Sequence, residues 1–543
     1  MFSLFRKRNY EKKFKRDFLL CLFSGIALGL SFSPISLSPL VFFALIPFMY
    51  VLQNRYGMAE INRATYFTMF IFNLITIYWV GSWTKEADPF LMISGFVLMF
   101  FNPILFLIPS TLFYFAKKYI GEKFALFLMP FFWVTYEYLY SITDLRFPWL
   151  TLGNSLTSFK LFIQIADVIG VYGLSIIIVL TNVLLFVIIE HYRKTKQILK
   201  VESTLLWLII LLPILYGSIS LDKNFSYDSK IKVGIIQPNL NPWNKWQEGN
   251  VDELLNLYLD ISSKAIKDGA ELLVWPETAL PVYLTIGSYD EQLWRLKNFV
   301  RQHKIFLLSG MPDGTIYDKK FAPEDAKPLS DSSKLYTSYN SIFFINPYNE
   351  EIKKYGKEKL VPFGEKVPFV EYIPLLGDII KWNVGISSWN TGKDTTVFEL
   401  QTSNQTTKKI GGVICIESIY PDYVAQFVNK GAQLIAVVTN DSWYGNSSGP
   451  YQHKDYAILR AVENRRFVVR SANGGISCII DPYGNILNET KLFTRDYLVG
   501  TVGFISGKTY FSTHPLLIPF LAFLVSILTI LIILYKKIAK RKT

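Results

Sequence analysis

The chain has 543 residues, 51% hydrophobic and 16% aromatic, with a formal net charge of +13, and its mean hydropathy is +0.26. That is too long for one ordinary domain and too apolar for a soluble protein of this size. Three cysteines (Cys21, Cys415, Cys478) and four histidines, with no CxxC or HxxxH pair, exclude a disulfide framework and argue against a metal or haem site, so no cofactor is expected.

Apolar runs long enough to cross about 30 Å of hydrocarbon begin at Phe18–Ser33. They continue with Leu37–Leu52, Thr65–Trp83, Pro89–Ala116, Phe124–Tyr140, Phe159–Glu190 and Ser203–Ile219. An eighth, Pro515–Tyr535, lies at the far end. No small-residue cleavage site separates the first run from the second, so it reads as a span and not a cleaved signal. Cys21, inside it, reads as a membrane-buried cysteine. Lysine and arginine cluster before the first run, after the second, fourth and sixth, and after the eighth. The alternate loops hold only Lys85, Arg146 and Lys160. Basic loops stay in the cytoplasm, which puts both ends inside and the segment after the seventh run outside. Much of the positive charge is therefore a topology signal, and nucleic acid is not an expected partner.

One external loop, Ile142–Ser158, carries prolyl and glycyl breaks and an aromatic pair, Phe147 and Trp149. It reads either as an interfacial anchor or as a re-entrant loop lining a lipid entrance.

From Ile231 to Ile505 the pattern changes. IKVGIIQP, ELLVWPE, IFLLSGMP, SIFFINP, GGVICIES, AQLIAVVTND, FVVRSANGG and SCIIDPYG predict strands. Helical periodicity covers Val251–Lys267, Glu291–His303, Asp422–Lys430 and Tyr451–Glu463. The expected fold is thus a multi-span α-helical membrane bundle plus an α/β domain with a buried sheet. The expected division is 1–222 with seven transmembrane helices, 223–508 as an extracytoplasmic catalytic domain, and 509–543 as the eighth helix and a basic cytoplasmic tail. Asp313–Ser338 and Glu371–Lys393 lack clear periodicity and read as long loops; the second, with Trp382 and Trp389, is apolar enough to touch the membrane or cover a site.

Three residues stand where chemistry is usually placed. Cys415 follows the apolar strand Ile410–Ile414, at the carboxyl edge of a sheet. Glu277 ends the string Trp275-Pro276-Glu277, where apolar neighbours would suit a carboxylate to general-base work. Lys357 opens a charged segment running into the turn Pro362-Phe363-Gly364-Glu365. Taken singly, each has a plain structural reading: a core cysteine, a solvated carboxylate, a solvated lysine. A thiol with pKa about 8.5 is mostly protonated at neutral pH and needs a base, while a cation beside it favours the thiolate and faces an oxyanion.

In that order, WPE, K-x-x-LVPFGE and GxxIC-x-E resemble the nitrilase superfamily. With the flanking spans and the Phe147-Pro148-Trp149 loop, the whole chain resembles the apolipoprotein N-acyltransferases of bacterial envelopes. The resemblance implies an αββα sandwich with Glu277 as base, Lys357 as electrostatic partner and Cys415 as nucleophile. It also implies supporting or substrate-binding roles for Glu365, Glu417, Asn340 and Trp149, and substrate-lining positions for Trp246 and the segment Asn440–Gly445 that contains Trp443. Where relatives often carry an aromatic after the nucleophile, this chain has Ile416. The implied reaction moves an acyl chain from a phospholipid to the N-terminal amine of a diacylated apolipoprotein through a Cys415 thioester. The implied setting is the inner membrane, with the catalytic domain on the periplasmic side and the chain acting as a monomer. Cys478 reads as core, and His453, at a helix start, as a possible substrate contact.

Two other readings stay open at this point. One is a membrane-tethered amidase that passes the acyl group to water. The other is a transporter or sensor, which would need ionisable residues within the spans, where Glu137 and Asp167 are the clear candidates.

Overall fold

The computed structural model describes residues 2–85, 87–222, 226–245, 251–329, 333–369, 389–401 and 407–542. Helices lie along each apolar run: Phe2–Leu30, Ile46–Gln53, Met58–Thr76, Pro89–Leu105 continued by Leu107–Tyr119, Glu122–Ile142, Ala166–Thr195, Lys200–Leu221 and Leu517–Lys542. Among the described residues, four helical segments are long and apolar enough to cross a membrane: Leu91–Tyr119, Ala166–Thr195, Lys200–Leu221 and Leu517–Lys540. Their outward faces are apolar, with Trp207, Leu211 and Leu215 exposed on one and Phe520, Leu528 and Leu531 on another. In water such faces would be a liability; against acyl chains they need no partner.

Polar groups turn inward instead. Asn102 Nδ2 donates to Asn73 Oδ1 (2.6 Å) between two helices. The two ionisable residues expected to mark a transport path are both tied into the framework. Glu137 accepts from Trp133 Nε1 (3.0 Å) and Leu152 N (2.8 Å), and Asp167 pairs with Arg465 of the α/β domain (2.7 Å). The run expected from Phe159 is broken. A short helix Lys160–Ile163 precedes the long one from Ala166, inside which Gly170 adopts φ +63°. A Cβ there would meet the Phe511 ring at 2.4 Å, so glycine lets the two segments close.

The α/β domain contains two sheets. The first joins β13 (Asp496–Phe504), β1 (Ser229–Gln237), β2 (Leu272–Trp275), β3 (Phe306–Asp318), β5 (Lys334–Ile345) and β4 (Lys327–Pro328) in that order, with β6 (Ile352–Gly356) beside β5. The second runs β12 (Ile486–Glu489), β11 (Cys478–Ile480), β10 (Val468–Ala472), β9 (Leu434–Thr439), β8 (Thr407–Ile414) and β7 (Val397–Gln401). β1–β2–β3 and β8–β9–β10 are parallel, and their continuous apolar runs fit strands covered on both faces. Val233, Leu272 and Leu308 of one sheet share a core with Val413, Ile435 and Val468 of the other. Helices Val251–Lys267 and Asp290–His303 cover the first sheet, and Pro421–Asn429 and Ser448–Asn464 cover the second. The result is an αββα sandwich with two sheets where periodicity alone suggested one.

One expectation changes. Asp313–Ser338 is only partly a loop: β3 and β5 continue into it from both ends as an antiparallel arm, paired from Leu307↔Ile345 to Asp318↔Lys334. Its outer part lies beyond the core, so its residues show no apolar alternation. The segment 371–388, including Trp382, lies outside the described residues, as does Trp246; Trp389 is described and buried.

Helix Ser448–Asn464 has an unusual position. It covers the second sheet on one side and packs on membrane helix Ala166–Thr195 on the other, where Glu463 accepts from Val171 N (2.9 Å). It is buried along nearly its whole length. The α/β domain is thereby seated on the bundle through its own outer layer.

Candidate active site

Each of the three central residues leaves a strand end. β2 is fully buried, and Pro276 stops it so that Glu277 emerges at its carboxyl edge. The Trp275 ring faces the opposite way, stacked on Tyr258 at 4.5 Å with its Nε1 donating to Ser262. The neighbours of Glu277 are therefore polar, not the apolar ring expected from WPE. Its Oε1 accepts from Asn340 Nδ2 (2.8 Å) and Lys357 Nζ (3.2 Å).

Lys357 follows β6 and is 1% exposed. Its Nζ also donates to Glu365 Oε1 (2.8 Å), as does Asn340 Nδ2 (2.8 Å). Burial alone would push Lys357 down, but Glu277 and Glu365 outweigh it and hold the ammonium well above the usual lysine range. Glu365 is aimed by its own turn: Val361 N donates to its Oε2 (2.9 Å), and Phe363 takes φ +62° to close that turn.

Cys415 ends β8 with φ +50°, a conformation rare for a residue with a side chain. Burial, then the neighbouring Glu277, push its thiol up, against the lowering effect of Lys357. This favours the neutral thiol, and the Glu277 carboxyl lines the same cavity.

Glu417 does not face the cavity. Wholly buried, it accepts from Ile414 N (2.9 Å), Tyr355 Oη (2.7 Å), Glu358 N (2.7 Å) and Lys359 N (3.2 Å). It thus clamps the strand that delivers Cys415 to the loop that delivers Lys357. Burial raises this carboxyl to about 7, with those donors opposing the rise.

Glu277, Asn340, Lys357, Glu365 and Cys415 form one end of a cavity of about 600 Å³. It is also lined by Leu91, Ile93, Val97 and Phe101 from the apolar helix that begins at Pro89. Ile93 and Val97 are also more than half exposed on the outside of that helix. Trp443 and Tyr444 line the cavity, and Trp443 meets Trp243 edge-on at 4.9 Å. Leu145 and Phe147 line it from the loop Ile142–Ser158, but Trp149 does not. Trp149 is buried beneath the sandwich, its Nε1 donating to Gln452 (2.7 Å), and so is not an interfacial anchor. Among the described residues no group of three or more His, Cys, Asp or Glu side chains is placed to hold a metal ion.

Comparison with known proteins shows the family. Residues 232–504 match the carbon-nitrogen hydrolase family model, and residues 24–184 match the apolipoprotein N-acyltransferase N-terminal domain. Over 512 residues the chain is 32% identical to the apolipoprotein N-acyltransferase of Chlorobaculum tepidum, covering 93% of this chain and 94% of that one. The chain belongs to the apolipoprotein N-acyltransferase family. The Geobacter metallireducens apolipoprotein N-acyltransferase is 32% identical over 510 residues (92% of each chain), and that of Rickettsia bellii 30% over 525 residues (94% and 97%).

Several groups at this acyltransferase site carry no linear signal. Asp441 belongs to the segment expected to line the substrate region, yet its carboxylate points behind Cys415. It takes Arg470 Nη2 (2.6 Å) and His453 Nδ1 (2.8 Å). Burial would raise Asp441, but Arg470 and His453 hold it well below the usual carboxylate range. Lys245 is buried with no hydrogen-bond partner for its ammonium among the described residues. Burial pushes it down to about 7, opposed by the charge of Glu277. Cys478 sits inside β11, fully buried.

Proposed function

We propose that this acyltransferase takes an acyl chain from a membrane phospholipid and delivers it to the N-terminal amine of a diacylglyceryl-cysteine on an apolipoprotein, the last step of lipoprotein maturation. One observation carries the reading. The cavity joins a buried Glu277–Lys357–Cys415 cluster to the apolar face of a membrane helix, which suits substrates held in the bilayer by their own acyl chains. An amidase that passes its acyl group to water would need no such wall.

In the first step Glu277 takes the proton from the Cys415 thiol, and the sulfur attacks the ester carbonyl. Lys357 and the Ile416 N–H face the oxyanion that forms. Collapse breaks the C–O bond, the proton passes to the departing glycerol oxygen, and a lysophospholipid leaves. In the second step the lipoprotein amine attacks the thioester and gives a proton to Glu277. The C–S bond breaks to an amide, and the sulfur regains its proton. Glu365 and Asn340 hold Lys357 and Glu277 in register, and Glu417 holds the two loops together. Trp443 would bound the acyl chain. The chain is proposed to act as a monomer.

The proposed membrane arrangement is eight spans. Residues 1–222 supply seven, 223–508 form the catalytic domain, and 509–543 supply the last span and its tail. The basic loops support cytoplasmic ends and a periplasmic catalytic domain at the inner membrane. A reporter active only outside the cytoplasm should work when fused after Asp222 and be silent after Lys196; reversed activities would overturn the orientation. For the reaction, mass spectrometry of lipoprotein N-termini after depletion of the enzyme should show diacylated cysteine with a free amine. Fully N-acylated lipoproteins persisting after complete depletion would overturn the proposed function.

A further inference from the structure

We propose that His453 is a positioning residue that aims the oxyanion-binding peptide of the active site, and that its neighbour Gln452 ties this aim to the membrane bundle. The inference rests on Cys415 being the nucleophile.

The argument starts from the peptide between Cys415 and Ile416. In a trans peptide the carbonyl and the N–H point in opposite directions within one plane. Whatever grips the Cys415 carbonyl therefore decides where the Ile416 N–H points. That N–H lies in the first turn of the 3-10 segment Cys415–Ile419, where no earlier carbonyl of the segment reaches it. The carbonyl is gripped twice, by Ser418 Oγ (2.7 Å) and by His453 Nε2 (3.1 Å). Those bonds matter because Cys415 is held at φ +50°, which a non-glycine residue keeps only when its surroundings enforce it. Donors on the carbonyl also polarise the peptide and strengthen its N–H as a donor.

His453 is itself fixed from behind by Asp441 (2.8 Å), which is pinned by Arg470 (2.6 Å). Nδ1 donates to the Asp441 carboxylate, so Nε2, which also lies 3.0 Å from Ser418 Oγ, donates to the Cys415 carbonyl in the ring that carries both protons. His453 does not line the cavity, so it acts through this peptide and not by touching substrate.

The preceding residue connects the same helical turn to the bundle. Gln452 Oε1 accepts from Trp79 Nε1 (3.1 Å) and Trp149 Nε1 (2.7 Å). Its Nε2 donates to Ser33 O (2.9 Å) and Thr76 O (3.0 Å). A glutamine amide has two acceptor positions and two donors, and all four are used on three separate segments of the membrane domain. A soluble sandwich would leave such a residue to water. Here, one residue grips the bundle and the next grips the nucleophile's peptide.

Two reactions of Cys415 separate this role from a merely structural one. Attack on an ester passes through an oxyanion; alkylation by iodoacetamide is a direct displacement and forms none. In the full-length enzyme, His453→Ala is expected to slow acyl loading from phospholipid by about 10²-fold while alkylation stays within about threefold of the parent rate. Ser418→Ala, which removes the other donor, should split the two reactions in the same direction. His453→Gln, whose amide can still donate to the carbonyl, should restore most of the loading. Gln452→Leu should reproduce the split in weaker form. Equal loss of both reactions in His453→Ala and Ser418→Ala, or no loss in either, would overturn the positioning role. Unchanged loading in Gln452→Leu would overturn the link to the bundle. Failure of the parent enzyme to load at Cys415 would instead sink the nucleophile assignment, a result the parent control reads separately.

Discussion

Full-length enzyme given only a phospholipid labelled in its acyl chain is expected to acquire label on Cys415, and Cys415→Ala to acquire none. The thioester is the first product of a two-step exchange, so loading needs no amine. Hydroxylamine at neutral pH should strip the label, as it does a thioester and not an amide. Glu277→Gln should load more slowly by about 10²–10⁴-fold, because the thiol that burial holds protonated loses its base. Lys357→Ala should cost a comparable factor: it removes an oxyanion donor and leaves Glu277 and Glu365 facing each other across Asn340 without their cation. Cys478→Ala, inside β11, should load at nearly the parent rate. A diacylated lipopeptide with a free amine should discharge the label and give parallel-line, ping-pong kinetics, and an acetylated one should leave it in place. Discharge equally fast with and without the free amine would make the enzyme a hydrolase. Label on Cys478 in place of Cys415 would overturn the site.

How far the sequence reaches can be judged residue by residue. Glu277, Lys357 and Cys415 each sit at a strand end beside a proline, a charged segment or a polar turn; singly each reads as structural, and only the three strings in order, through the family resemblance, single them out. The structure gathers Glu277, Lys357, Glu365 and Asn340 into one bonded cluster, with Cys415 lining the same cavity. The eight predicted strands all form, because strands buried on both faces read as short apolar runs. What fails to show is whatever depends on distance in space. β13 is half-exposed and pairs with β1 from more than two hundred residues away. Asp441, His453 and Arg470 meet from three elements whose spacing matches no linear pattern. The apolar run at Pro89–Ala116 was legible as a membrane segment, but not that one of its faces completes the wall of the cavity. Trp149 misled for a related reason: an aromatic in an external loop looks interfacial until a second domain is found sitting on it.

The position of the base makes the sharpest steric prediction. Gly310 of β3 runs directly beside the turn that carries Glu277. A Cβ on Gly310 would lie 2.5 Å from Glu277 Cα, 2.7 Å from Pro276 O and 2.9 Å from Thr278 N. These are backbone atoms, so no side-chain rotation relieves the clash. The two segments are also tied, since Ala279 N donates to Gly310 O (2.7 Å). Gly310→Ala must therefore push Glu277 away from the cluster or break that bond. A displacement of about 1 Å in a catalytic group costs about 10²-fold in rate, and forcing a methyl into a packed site costs about 1–3 kcal/mol in stability. The expected result is a folded enzyme, somewhat less stable, whose single-turnover loading of Cys415 falls by about 10²-fold. Gly314→Ala, in the same strand, is the control. Its nearest neighbours are the side chains of Ile286 at 2.7 Å and Tyr283 at 3.1 Å, which can shift without moving Glu277, so loading should stay close to the parent rate. Equal losses in the two variants would point to general damage to the strand. Parent-like loading in Gly310→Ala would mean that the backbone contact beneath Glu277 does not set its position.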